Sequence, residues 1–397
     1  MKLLDKLFGL KNLKNSLNEI ELERVELELN ILKNELDKTM KFFKNSSRLP
    51  LYMVMGYSRF GKTTLLSKSG VKVVDILGDT ISPLPTKYFS WFFSDDAIYL
   101  DTAGAYAQTD KNSPHFSLVW IGFLKLLKKY FNNITSGLIV VIDIPTLSGE
   151  KERLEKVLND LRERIYEVAK YSYHLPVYVV FTKTDLIPGF VNFFEALKEE
   201  ERQEPFGITL KSSRNFAENK VKKLNTKFDH LLDYLYDKSV QRLSQESAKE
   251  KHFDLVNFPL QLENLRENIL EVAKILPDGG SIDLTGMYFT SSIQVGAPID
   301  ILEQKFLKDF NLAVTNKDDS NYNAILPSAK KVYFVQDLFK KIIRPHESAV
   351  KAKALAWNSA NKIISILFVS LMVLVSFLLG IMHIIILKKQ WLMCNQD

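Results

Sequence analysis

The sequence predicts an α/β fold with a mostly parallel sheet, and three observations predict it. Short apolar runs suited to buried strands alternate with longer amphipathic stretches. One such run, Leu51-Tyr52-Met53-Val54-Met55, leads into Gly56-Tyr57-Ser58-Arg59-Phe60-Gly61-Lys62-Thr63-Thr64, which fits G-x-x-x-x-G-K-[ST]. A second, Ala97-Ile98-Tyr99-Leu100, ends in Asp101-Thr102-Ala103-Gly104, a D-x-x-G at a strand end. A strand, a glycine-bounded loop and a helix start together make a phosphate cradle, because loop N–H groups and the helix N-terminus point at one anion. The fold expected is therefore a P-loop NTPase of the G-domain-like kind.

The elements follow in chain order. Residues 13–43 lack Gly and Pro, and Leu13, Leu17, Ile20, Leu27 and Ile31 fall at three-, four- and seven-residue spacings. This predicts a long amphipathic helix in an N-terminal arm, 1–46. Residues 45–50 read as a linker. Strands are expected at 51–55, 97–101, 138–143, 177–182 and 287–290, each an apolar run suited to a buried parallel strand. Helices are expected at 62–69, 117–131, 150–171 and 190–201, the third with a stripe of Leu154, Leu158, Leu161, Ile165 and Val168. Residues 202–280, charged and poor in Gly and Pro, read as a helical insertion. It divides the P-loop domain into a first part, 47–201, and a closing part, 281–345. Residues 332–343 predict an amphipathic helix ended by Pro345.

The run 363–387 carries no Asp, Glu, Lys or Arg. At about 1.5 Å per residue it is long enough for a hydrocarbon core of about 30 Å. It is expected to be a transmembrane helix, preceded by a basic juxtamembrane segment, 346–362, and followed by a short tail, 388–397. Arg344, Lys351, Lys353 and Lys362 lie upstream, and only Lys388 and Lys389 downstream. This bias puts the large domain in the cytoplasm. The chain has 397 residues, 46% hydrophobic and 25% charged, with net charge +6. The charge is too mild and dispersed to argue for nucleic acid. Cys394 is the only cysteine, which excludes an intramolecular disulfide and a cysteine metal site. Residues 1–17 have no continuous apolar core and are not a signal peptide.

The candidate site residues follow from the chemistry of a bound nucleotide. Gly56 and Gly61 let the loop turn; Ser58, Lys62, Thr63 and Thr64 would face the phosphates. Lys62 would reach the β- and γ-phosphates, and the Thr63 hydroxyl would ligate Mg²⁺. Asp101 at its strand end would hold the metal's outer shell, Thr86 is a candidate switch threonine for Mg²⁺, and Gly104 offers an N–H to the γ-phosphate. Thr182-Lys183-Thr184-Asp185 closes the run 177–181 in a T-K-x-D pattern. Asp185 could accept both guanine N–H groups, the Lys183 stem could cover the base, and Ser291, in Thr290-Ser291-Ser292, would belong to the last base-contacting loop. This favours GTP over ATP. A hydrolytic G-domain often carries Gln directly after D-x-x-G. Ala105 stands there, and Gln108, the one catalytic candidate, is out of register. Binding is expected and fast intrinsic hydrolysis is not.

Several segments resemble, in order, the IcmF/TssM inner-membrane proteins of type VI and Dot/Icm type IV secretion. They are 48–52 leading into the P-loop, Trp91-Phe92-Phe93-Ser94-Asp95-Asp96-Ala97, Trp120-Ile121-Gly122-Phe123-Leu124, Leu186-Ile187-Pro188-Gly189-Phe190, Tyr288-Phe289-Thr290-Ser291-Ser292 and Phe334-Val335-Gln336-Asp337-Leu338-Phe339. The resemblance covers roughly 45–390. It implies a cytoplasmic P-loop domain held between transmembrane segments, a DotU/TssL-like inner-membrane partner, other secretion-system subunits, and a large periplasmic region. Set against that family, the chain begins where a transmembrane pair would have ended and stops soon after the next span. It is therefore expected to be a fragment, a split-gene product or a shortened variant. The expected role is a nucleotide-binding structural subunit of the bacterial inner membrane, crossing it once. The competing role is a membrane-anchored GTPase or ATPase whose turnover drives assembly or transport.

Overall fold

A computed structural model of the chain describes residues 2–9, 18–42, 49–71, 86–94, 97–109, 115–131, 133–210, 220–276, 281–292 and 331–343. All of them lie in one compact unit, Met1–His346. The segments 346–362, 363–387 and 388–397 lie outside the described residues, as do Leu13 and Leu17. No helix among the described residues is long and apolar enough to cross a membrane.

Seven strands form one sheet. They are β1 (Leu51–Met55), β2 (Phe89–Phe93), β3 (Ile98–Thr102), β4 (Gly137–Asp143), β5 (Leu175–Thr182), β6 (Phe206–Thr209) and β7 (Ile282–Phe289), in the order β2-β3-β1-β4-β5-β7-β6. The five inner strands are parallel, with Val54 beside both Asp101 and Ile139, and Val141 beside Val180. They are apolar along nearly their whole length because both faces are covered, and β1, β3, β4 and β5 are buried at every position. The two edge strands run antiparallel to their neighbours. Chain direction parts between β1, which leads toward β3, and β4, which leads toward β5. The carboxyl ends of β1, β3, β4 and β5 therefore meet at a topological switch point, where open α/β sheets place their ligands.

Sequence expectations and structure differ in several places. The edge strand β2 forms where the sequence reading assigns no element, and β6 replaces expected helix. β6 also means that the segment 202–280 opens with a strand before its three helices, α9 (Lys220–Gln245), α10 (Lys249–Asn264) and α11 (Arg266–Lys274). The strand expected at 287–290 begins at Ile282, because β5 offers a partner along that length. The helix expected at 190–201 breaks into α7 (Phe190–Phe194) and α8 (Glu199–Gln203). The helix expected at 332–343 is shorter: it starts at Gln336 and continues as a π-helix, Leu338–Ile343. The first residues of the expected span cannot be helical, because Tyr333 pairs with Ser291 as a β-bridge and Phe334 has φ 64.

The other helices are α1 (Lys2–Phe8), α2 (Glu19–Phe42), α3 (Lys62–Lys68), α4 (His115–Tyr130), α5 (Ile144–Leu147) and α6 (Lys151–Ala169). The arm helix α2 packs on α4. Its buried stripe is Leu22, Val25, Leu29, Leu32 and Leu36, whereas Ile20 and Leu27, expected on the buried face, are 79% and 63% exposed. The true stripe alternates spacings of three and four and lies on another face of the helix. Polar contacts secure the arm. Glu26 accepts the first N–H groups of α1, from Leu3 at 2.9 Å and Leu4 at 2.6 Å, and Lys125 of α4 donates to the Leu7 carbonyl at 2.7 Å.

The arm is thus part of the core. Leu29→Ala is expected to lower stability by about 2–5 kcal/mol, the usual loss for a fully buried leucine. Leu27→Ala is expected to change it by less than about 0.5 kcal/mol. Urea titration of both variants checks this; equal small effects would mean that the arm only rests on the domain.

Candidate functional site

The Gly56–Thr64 loop joins β1 to α3 at the switch point. Gly61 has φ +84 and starts the helix, and a Cβ on Gly56 would meet the Val141 carbonyl oxygen of β4 at 2.4 Å. Both positions therefore require glycine. The Lys62 side chain turns back over the loop and donates to the Gly56 carbonyl at 2.9 Å and the Tyr57 carbonyl at 3.1 Å. Lys62 is 6% exposed.

Three residues that the sequence placed separately meet beside it. Asp101, fully buried at the end of β3, accepts the Thr63 hydroxyl at 2.5 Å and the Thr86 hydroxyl at 3.2 Å on one oxygen, Oδ2. The two hydroxyls are 3.4 Å apart. Oδ1 of Asp101 has no hydrogen-bond partner among the described residues. Burial pushes the Asp101 carboxyl up and the Lys62 ammonium down, and each group's charge opposes the shift of the other. A buried carboxylate with an unpartnered oxygen, grouped with two hydroxyls, is a hard-oxygen donor set of the kind Mg²⁺ takes when phosphate oxygens complete its shell. The residues present fit that ion. No cluster of three His, Cys, Asp or Glu suited to a metal occurs among the described residues.

Gly104 opens a 3₁₀ turn, Gly104–Ala107, directly against the loop. A Cβ there would lie 2.1 Å from the Ser58 backbone nitrogen. Ser58 itself is exposed and Thr64 is half-buried in α3. Gln108 follows the turn with an exposed side chain, while its carbonyl accepts Arg164 at 2.7 Å.

The ends of β5 and β7 make the second half of the site. The Thr182 hydroxyl donates to the Phe60 carbonyl at 2.6 Å and so fastens the T-K-x-D segment to the Gly56–Thr64 loop. Lys183, at φ 61, pairs through its ammonium with Asp143 at 2.7 Å. Asp143 in turn caps α5 by accepting the Thr146 N–H at 3.2 Å. Asp185 accepts the Ser291 hydroxyl at 2.5 Å; burial pushes its carboxyl up, and that hydrogen bond opposes the shift. The candidates from the two loops thus stand at the carboxyl ends of adjacent strands.

Sequence reasoning missed Tyr57, Asp143, Asp160 and Arg164. The signal for Arg164 was present: it falls three residues after Leu161 and four before Val168, inside the apolar stripe of α6, and it is 1% exposed. A guanidinium in such a stripe needs buried acceptors.

The Thr182 bracket can be tested without any ligand. Thr182→Val keeps the shape and leaves the Phe60 carbonyl without its donor, an expected loss of about 1–3 kcal/mol. Hydrogen exchange across 57–62 should quicken in the same variant. Unchanged exchange and stability would mean that the bracket contributes nothing.

The IcmF-related N-terminal domain family matches residues 117–371. The type VI secretion system component TssM1 of Pseudomonas aeruginosa is 31% identical over 337 residues, which cover 79% of this chain and 30% of that protein. The chain therefore spans 30% of the length of this curated relative. Among solved structures, the ADP-ribosylation-factor-like small COPII coat GTPase SAR1 from Encephalitozoon cuniculi, in complex with GDP, is 18% identical, with 46% of this chain and 66% of that one covered and a TM-score of 0.23. The small GTPase Arl6 BBS3 from Trypanosoma brucei, with bound GppNp, is 17% identical, with 34% and 68% covered and a TM-score of 0.22. Overlaps this loose bear on neither ligand nor mechanism. The family match spans more than half of the chain, and the chain belongs to the IcmF/TssM family through its IcmF-related N-terminal domain.

Proposed function

We propose that this chain is a nucleotide-binding structural subunit of a bacterial secretion-system membrane complex. Its P-loop domain serves as an assembly platform or nucleotide-dependent switch. The observation that carries the reading is the meeting of Thr63, Thr86 and Asp101 beside Lys62, at the switch point of a mostly parallel sheet. In this reading Lys62 exchanges its loop carbonyls for β- and γ-phosphate oxygens, and Thr63 and Thr86 turn their hydroxyl oxygens to Mg²⁺ while Asp101 holds its outer shell. Bound Mg²⁺ would neutralise phosphate charge. Ser58, Thr64 and the glycine N–H groups line the phosphates, and Asp185 reads the base, with GTP favoured over ATP.

The family and the relative's description as a type VI secretion component support the membrane-complex half of the reading. The chain is proposed to cross the inner membrane once through 363–387, with its large domain cytoplasmic. Its proposed neighbours are a DotU/TssL-like protein and other secretion subunits. Ala105 stands directly after Gly104, where a water-orienting Gln often sits, and Gln108, out of register, exposes its side chain. Turnover is therefore proposed to be slow, and partner affinity, which can shift only by the difference between nucleotide states, is proposed to be the output.

Lys62→Ala is expected to weaken Mg²⁺-triphosphate binding by more than about tenfold, or about 1.4 kcal/mol. Titration of the full chain with labelled GTP and ATP checks this, and equal affinity in the variant sinks the phosphate role. Asp185→Asn is expected to lose the preference for GTP, because an amide cannot accept both guanine N–H groups. A wild type that binds ATP as tightly as GTP would make Asp185 a structural group held by Ser291.

A further inference from the structure

Helix α6 reaches the proposed nucleotide site from behind, through two buried charged residues one turn apart. Asp160 is 4% exposed, and its two oxygens are each taken by a hydroxyl: Oδ2 by Tyr57 of the P-loop and Oδ1 by Thr109, just past the Gly104–Ala107 turn. Arg164 donates through Nη2 to the Gln108 carbonyl at 2.7 Å and the Ser117 hydroxyl of α4 at 2.9 Å, and through Nη1 to Glu167 at 2.8 Å. Burial and the Asp160 carboxylate push the Tyr57 phenol up, so it stays protonated and donates.

These contacts close a ring. Tyr57 immediately precedes Ser58, and Ser58 touches Gly104 so closely that no side chain fits between them. From Gly104 the chain runs through one 3₁₀ turn to Gln108, whose carbonyl Arg164 holds to α6, and to Thr109, and Asp160 returns it to the P-loop through Tyr57. Loss of either hydroxyl leaves a buried carboxylate oxygen short of a partner, which is expensive in a dry setting. The ring therefore fixes how far Gly104 stands from the P-loop, and that spacing decides whether its N–H meets a third phosphate.

We propose that Asp160 and Arg164 are positioning residues of this site: by clasping Tyr57 to the Gln108–Thr109 segment they hold Gly104 at the distance that distinguishes a nucleoside triphosphate from a diphosphate. The proposal rests on the nucleotide reading above. The clasp touches neither base nor metal, so it acts on discrimination between phosphate states.

The test uses the full chain with Tyr57→Phe and Thr109→Val, each of which removes one hydroxyl and leaves the packing. Two quantities are measured: backbone hydrogen exchange over 104–109 without nucleotide, with the protection of β4 and β5 as the folding control, and the affinity ratio between a non-hydrolysable GTP analogue and GDP. Both variants should speed exchange over 104–109 by about tenfold, leave β4 and β5 protected, and lower the affinity ratio at least fivefold. Faster exchange with an unchanged ratio would make the clasp a structural bracket and overturn the proposal. Unchanged exchange would overturn it as well, because nothing then depends on the hydroxyls. A wild type that binds neither nucleotide while exchange still quickens in the variants would sink the nucleotide reading, and the discriminating role with it, and leave only the bracket.

Discussion

Asp101 and Lys62 are both buried, and burial drives each toward its neutral form. Two such groups persist together in a dry interior only when hydrogen bonds and mutual charge offset desolvation. Thr63 and Thr86 supply the bonds to the carboxylate, and the carbonyls of Gly56 and Tyr57 supply them to the ammonium. The arrangement needs β1 and β3 side by side in register, so that Val54 lies beside Asp101. It also needs a loop turned tightly enough to carry Lys62 back over its own backbone, which Gly61 provides by opening α3 in the left-handed region. The parallel sheet, the strand order and the glycines all serve this contact.

Threonine hydroxyls hold the surrounding strand ends together. Thr102 donates to the Val54 carbonyl at 2.9 Å, Thr182 to Phe60 at 2.6 Å, Thr184 to Thr290 at 2.9 Å and Thr290 to Phe181 at 3.1 Å. These bonds tie strand ends to one another and to the Gly56–Thr64 loop, and at Phe181 and Thr290 they add to backbone N–H bonds on the same carbonyls. As a result the loops after β1, β3, β5 and β7 move little relative to one another without breaking a buried bond. In the proposed account that rigidity lets a difference of one phosphate be felt at the Gly104 turn and, through Asp160 and Arg164, in α6.

Much of this was legible in the sequence, for identifiable reasons. The inner strands β1, β3, β4 and β5 are buried at every position and read as largely apolar runs, whereas β7 carries Asp283, Thr285 and Gly286 and only its last residues stood out. The loop declares itself through glycine spacing, and Asp101 through its place at a strand end. Thr86 was legible only as a candidate, because what joins it to Thr63 and Asp101 is tertiary contact. The edge strands were harder: β2 carries Ser90 among aromatics, and β6 has four residues with a glycine at its second position. The arm's stripe was assigned to the wrong face because leucines and isoleucines line more than one face of α2, and spacing alone does not say which meets α4. Tyr333 left the helical pattern for a bridge to Ser291, a pairing that no local preference encodes.

The central claim is that Lys62, Thr63, Thr86 and Asp101 form one Mg²⁺-dependent triphosphate site. Calorimetric titration of the unmodified full chain with GTP, in excess Mg²⁺ and again in EDTA, tests it most directly. The account predicts saturable binding in Mg²⁺ that weakens at least tenfold, about 1.4 kcal/mol, when the metal is removed. Binding of the same strength in EDTA, or none in either condition, would contradict it.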